Sequence, residues 1–396
     1  MSSDFARSTV LDAPVGTGAV VDDEPRLPAL EQADPSGLWR RLVEFPQQAA
    51  HAWQMGTRWT GIDHATDVRR VIVVGMGGSA IGGQLAGQIV QHRAPVAVQV
   101  VRDSDIPATD EHTLIVVASF SGETEEVLSA LPRIATQPGA KMVITRGGTL
   151  GREAAALDIP ALIYSYEGEP RSALGYGALL LLGVLRRVGA FPATDAEVER
   201  ALAEVGASCL RYHPDADPET NPTHSLARQL RDRIPVVMAD ASLEAAAARW
   251  QTQLNENSKR WAFPGTLPEA LHNLVEAVGA RGAGSDVDGY PFHVVLLEDQ
   301  TRPNRARARI DALQELLSDS GIEWTRVALR GSSHLSILLQ ACLAGDWVSY
   351  YLAVDEGINP SPVPFITDMK QRVAQMGAGY PSERRLSSLL SSRSTR

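Results

Sequence analysis

Cysteine is nearly absent. Cys209 and Cys342 are the two in 396 residues and lie far apart, which excludes a disulfide scaffold or cysteine metal cluster and fits a reducing cytoplasm. Positive charge is in deficit as well. Thirty-seven Lys and Arg against 47 Asp and Glu give a formal net charge of −10, which argues against the broad basic face that nucleic-acid binding requires. An acidic ligand must therefore be caught locally. Long apolar runs are also missing: Met1 to Phe5 does not read as a signal peptide, and Ala178 to Leu185 is too short to span a bilayer. Neither secretion nor membrane insertion is expected. What is present is 44% hydrophobic residues over a length that suits two or more domains.

Between a polar start (1–30) and a Ser/Arg-rich end (381–396), both read as loose tails, β-branched strands alternate with helical stretches. That pattern predicts an α/β fold with parallel, doubly wound sheets covered on both faces. A first block, 31–212, has strands at Val71–Gly75, Val96–Val101, Leu114–Ala118, Lys141–Thr145 and Ala161–Tyr164. The Pro/Asp-rich stretch His213 to Pro222 reads as a hinge. A second block, 213–380, has strands at Pro235–Ala239, His293–Leu297 and Trp324–Leu329, with helices at Leu243–Lys259, Ala306–Leu317 and His334–Val354.

The most informative segment is Ser119-Phe120-Ser121-Gly122-Glu123-Thr124, set where the strand Leu114–Ala118 should turn into a helix. A helix start offers unpaired N–H groups and the positive end of the helix dipole, so an anion is stabilised there. The hydroxyls of Ser119, Ser121 and Thr124 add neutral donors, and Gly122 permits close approach. Hydrogen bonds to a charged group contribute about 1.5 to 3 kcal/mol each, enough for a phosphorylated metabolite at micromolar strength. No such loop recurs in the second block, so one phosphate site per chain is expected.

A second glycine-rich element, Gly75 to Gly83, follows the strand Val71–Val74. It has the form of a dinucleotide fingerprint, with Asp103 after the next strand as a candidate ribose ligand, so an NAD(P)-dependent oxidoreductase is a rival reading. That reading leaves the hydroxyl cluster without a purpose. Alternatively, Gly77, Gly78 and Ser79 bring bare backbone up to a sugar ring beside the phosphate loop.

These motifs resemble the sugar isomerase (SIS) domain and, within it, the bifunctional phosphoglucose/phosphomannose isomerases. The resemblance rests on Gly77-Gly78-Ser79, Ser119 to Thr124, Pro170 to Gly175, Asn255-Glu256-Asn257-Ser258-Lys259, Glu269 to Asn273, Gly345 to Ala353 and Lys370, in that order. It implies two SIS domains in tandem, a homodimer, and interconversion of glucose 6-phosphate or mannose 6-phosphate with fructose 6-phosphate, without metal or redox cofactor. It also assigns roles. Glu256 would be the base that moves a proton between C1 and C2, and Arg171 the cation that stabilises the enediolate. His272, supplied by the neighbouring subunit, would open the ring with help from Lys370. On sequence pattern alone, Glu256 reads instead as an ion pair with Lys259 or Arg260, His272 as a packing residue and Lys370 as a solvated helix charge.

Two departures from the family pattern stand out. Arg146-Gly147-Gly148 replaces the usual Ser-Gly-Gly, which puts a cation near the crevice, and Leu274 follows His272-Asn273 where an acid is usual. A sugar-phosphate sensor without catalysis is the alternative from another class. A regulator would normally carry a DNA-reading helix, none is legible here, and the joint presence of Glu256, Arg171, His272 and Lys370 favours an enzyme.

Overall fold

The computed structural model describes residues 26–279 and 292–376. Three helices come first: α1 (Arg26–Ala33), α2 (Leu38–Val43) and α3 (Phe45–Arg58). Of the two expected tails, only residues 26–30 fall within the described residues, and they belong to α1 rather than to a loose end.

The first sheet is built from β1 (Arg70–Gly75), β2 (Ala97–Val101), β3 (Thr113–Ser119), β4 (Ala140–Thr145) and β5 (Ala161–Ile163), all parallel in the order β2-β1-β3-β4-β5. Consecutive aliphatic residues serve both faces. Val71, Val73, Leu114 and Val116 turn to one core, while Ile72, Val74, Ile115 and Val117 turn to another. The crossover helices are α4 (Gly77–Gln91), α5 (Glu125–Thr136) and α6 (Gly148–Ala156); α7 (Leu174–Arg187) and α8 (Asp195–Tyr212) follow the last strand.

The expected hinge is fastened down. Asn221 is buried and caps α9 (Pro222–Gln229), accepting from the amides of Thr223 and His224. Its Nδ2 donates to the Tyr212 carbonyl and the Tyr351 hydroxyl, both at 3.2 Å. A turn so tied resists bending.

The second sheet has β6 (Ile234–Asp240), β7 (Phe263–Leu267), β8 (Phe292–Asp299) and β9 (Glu323–Leu329), parallel in the order β7-β6-β8-β9. Sequence reading passes over β7, because Pro264 and Gly265 argue against a strand. Its place at the sheet edge resolves the conflict, since an edge strand tolerates a missing N–H. The helices of this half are α10 (Glu244–Glu256), α11 (Leu274–Gly279), α12 (Asn304–Asp319), α13 (His334–Val354) and α14 (Pro364–Gln375).

One apolar core joins the halves. The inner faces of both sheets, through Val73 and Val116 on one side and Val237 and Val295 on the other, share it with α4, α7, α10 and α13. α13 is long and apolar enough to cross a membrane by length and composition, yet 94% of its most apolar window is buried inside the protein. The two sheets therefore keep a fixed relation through packed helices.

Candidate active site

The loop at the carboxyl end of β1 meets the turn Pro170–Ser172, which reaches the end of α10 through Arg171, while the loop after β3 connects to the turn by way of Phe120 and Tyr166. Ligands of open α/β sheets gather at such an edge. Gly78, at the start of α4, lies so close to the turn that a Cβ there would sit 3.1 Å from the Pro170 carbonyl oxygen. That packing explains the glycine at position 78, whereas Gly77 beside it (φ 49°) faces open space.

Arg171 occupies the centre of this turn, with its side chain 5% exposed. Its Nε donates to Asn257 Oδ1 at 2.6 Å, and its Nη2 donates to the carbonyls of Pro360 at 2.8 Å and Ser361 at 3.0 Å. Nη1 faces Glu256, with Oε2 at 3.5 Å. Burial lowers the pKa of Arg171, opposed by the carboxylates of Glu256 and Glu169. A guanidinium still stays charged at neutral pH. The result is an oriented cation with one nitrogen turned toward a carboxylate.

Glu256 closes the last turn of α10 and is half-buried. The surface ion pair with Lys259 or Arg260 that local pattern favours does not form. Lys259 Nζ donates to the Glu256 main-chain carbonyl and to Pro362 O at 2.8 Å, while Arg260 pairs with Glu356. Lys259 holds a left-handed φ of 58°, which carries its ammonium back over the end of the helix. Burial lowers its pKa, the nearby Arg171 lowers it further, and Glu256 partly offsets both. Thus two cations, Arg171 and Lys259, grip the segment Pro360–Pro362 around one carboxylate.

The hydroxyl loop is more self-contained than its sequence implies. Ser119, buried at the end of β3, lies 2.8 Å from Thr124 Oγ1 and accepts from Gly122 N at 3.1 Å, while Ser121 accepts from Glu123 N at 3.1 Å. Thr124 makes no side-chain cap bond to α5, so its hydroxyl does not satisfy the first-turn amides of that helix. Gly122 (φ 73°) is needed for the protein rather than for a ligand, because a Cβ there would fall 2.1 Å from the Gly147 carbonyl oxygen. Glu123 accepts from the amide and hydroxyl of Thr149, which ties this loop to the one after β4. Arg146 belongs to that second loop; its guanidinium carbon lies 4.7 Å from the centre of the Phe120 ring, which itself packs against Tyr164 and Tyr166.

His272 and Lys370 stand apart. His272 ends a short turn (Glu269–His272) after the edge strand β7, and its side chain is exposed. Lys370 lies on α14, a helix with no buried residue, whose Phe365 is 86% and Met369 60% exposed. Among the described residues neither is joined to Glu256 or Arg171 by a hydrogen bond or ion pair. One protomer therefore brings together Glu256, Arg171, Gly78 and the turn they share, but not the two remaining candidates.

Comparisons with known proteins bear on the family and the fold. A model of the SIS domain matches residues 65–164, and a model of the bacterial phospho-glucose isomerase C-terminal SIS domain matches 219–373. The bifunctional phosphoglucose/phosphomannose isomerase of Caldicellulosiruptor bescii is 32% identical over 86% of this chain and 99% of its own length. The chain belongs to the bifunctional phosphoglucose/phosphomannose isomerase family. Another family member, from Thermoplasma volcanium, is 28% identical over 77% of this chain and 91% of its own. In fold, the chain resembles a hypothetical protein from Thermus thermophilus, with a TM-score of 0.70 at 16% identity, covering 89% of this chain and 96% of that one.

Within this family framework, sequence reasoning missed Asn257, Lys259 and the Pro360–Pro362 carbonyls as parts of the site. Asn257 was visible inside a recognised motif, but nothing in a sequence tells which of its neighbours a side chain grips. The carbonyls carry no residue-type signal at all.

Proposed function

We propose that this protein interconverts glucose 6-phosphate and/or mannose 6-phosphate with fructose 6-phosphate through a cis-enediolate. Glu256 removes the C2 proton of the open-chain aldose and returns it to C1, while the C1 oxygen gains and the C2 oxygen loses a proton. The aldehyde is reduced and the C2 alcohol oxidised within one molecule, so the step balances without an outside oxidant and is an intramolecular oxidoreduction. Negative charge that develops on the enediolate faces Arg171 Nη1, an immobile donor in a water-poor turn. The juxtaposition that carries this reading is the Glu256 carboxylate held 3.5 Å from the buried Arg171 guanidinium.

The phosphate rests on the first-turn amides of α5 with Ser119, Ser121 and Thr124, and the sugar passes along Gly77, Gly78 and Ser79. His272 and Lys370 open the ring. Because both are exposed and separate from Glu256 in one protomer, the proposal includes a homodimer in which His272 comes from the partner copy. A cytoplasmic location accords with Cys209 and Cys342, both free and buried.

The test is a coupled assay that supplies each aldose phosphate in turn and detects fructose 6-phosphate. Turnover of either supports the isomerase. Saturable phosphosugar binding with no turnover of either would make this a sensor instead.

A further inference from the structure

The helical motif Gly345 to Ala353 has no part in the chemistry above, yet it lies directly behind Arg171. Asp346 and Ser349 sit in the middle of α13 and are buried. From Asp346 two hydrogen-bonded lines run to the same arginine. In the first, Arg249 Nη2 donates to Asp346 Oδ2 at 2.8 Å and to the Arg171 carbonyl at 3.0 Å. In the second, Ser349 Oγ donates to the Asp346 carbonyl at 2.9 Å and accepts from Asn257 Nδ2 at 3.0 Å, while Asn257 Oδ1 takes the Arg171 Nε–H at 2.6 Å. One line fixes the main chain of Arg171 and the other its guanidinium. Gly345 lets the helices close on each other, since a Cβ there would fall 2.6 Å from the Trp250 ring.

An ion pair as buried as Arg249–Asp346, with side chains 2% and 5% exposed, is weak as a source of stability, because desolvation offsets the attraction. Its geometry is better explained by what it holds. We infer that Asp346, Ser349, Arg249 and Asn257 form a brace whose function is to aim Arg171 Nη1 at the reacting oxygens. They are positioning residues: none needs to touch substrate. This inference rests on the isomerase reading, and it extends that reading from the site to the helix behind it.

A double-mutant cycle tests it on the full chain with fructose 6-phosphate as substrate. Arg171→Lys keeps the charge but removes the Nε–H that Asn257 grips. In the wild-type background Asn257→Ala should lower kcat about 10- to 100-fold with KM nearly unchanged, the scale of loss expected from a misaligned group. In the Arg171→Lys background the same change should cost less than about twofold. Should Asn257→Ala fail to fold, Ser349→Ala removes one bond of the same line, with Ser349→Thr restoring the hydroxyl and the rate. Equal losses in both backgrounds, or a loss confined to KM, would overturn the brace while wild-type turnover leaves the isomerase standing. Absence of wild-type turnover would overturn both.

Discussion

Lys259 donates its ammonium to the main-chain carbonyl of Glu256, three residues before it, and leaves the Glu256 carboxylate to Arg171. The spacing that normally makes a surface ion pair on a helix is here used at a helix end, where the chain turns left-handed and the lysine folds back. The carboxylate is thereby spared its obvious partner and faces the buried guanidinium instead.

The phosphate loop gives the first prediction. Ser119→Ala removes the acceptor of Gly122 N–H and the partner of Thr124, and so should loosen the loop and raise KM for fructose 6-phosphate about 10- to 100-fold, at roughly 1.5 to 3 kcal/mol per bond to a charged group. Arg146→Ser, by contrast, removes a rim cation and should raise KM only a few-fold, an effect that fades as salt is added. Steady-state kinetics at two ionic strengths separates them; a salt-independent loss in Arg146→Ser would contradict the rim role.

Assembly gives the second. Phe365→Asp with Met369→Asp puts charge on the apolar face of α14, and light scattering should then report a mass near 42.6 kDa. Such a monomer should bind phosphosugar but turn over poorly, because His272 no longer reaches the site. A wild-type protein that is monomeric and fully active would refute the shared site.

Much of this was legible before any coordinates. The continuous aliphatic runs Val71–Val74 and Leu114–Val117 announce strands buried on both faces, and the hydroxyl-rich segment stands, as its sequence implies, at the carboxyl end of β3 where the chain turns into α5. The bounds of α13, His334–Val354, coincide with those read from the sequence. What stayed hidden depends on tertiary contact. β7 violates strand propensity because it sits at an edge, Gly122 serves the neighbouring Gly147 loop rather than a ligand, and the hinge became a capped turn through one asparagine. Local pattern also misread Lys259, since its partner was decided by a backbone angle.

Acid sensitivity gives the third. His334, at the start of α13, lies against His92 with ring centres 4.1 Å apart and the planes tilted by 51°. Burial pushes its pKa down from 6.5 to about 4, helped by His92 and Arg302 and opposed by Asp240. A folded-state value below the unfolded one means that the unfolded chain binds the extra proton. Stability from this group is therefore full above about pH 6.5 and falls as pH drops toward about 4. Burial of His293 acts in the same direction. Thermal melts of His334→Asn should show a shallower fall in Tm between these pH values than the wild type; parallel curves would remove His334 from the account.

The most direct measurement is made on Glu256→Gln, which keeps the shape and removes the proton acceptor. In deuterated water the wild type should exchange the hydrogen moved between C1 and C2 of the sugar while it turns over. The variant should lose turnover and exchange together, by about 10²- to 10⁴-fold, with phosphosugar affinity changed less than about twofold. Turnover and exchange near wild-type levels in Glu256→Gln would contradict the role given to this carboxylate.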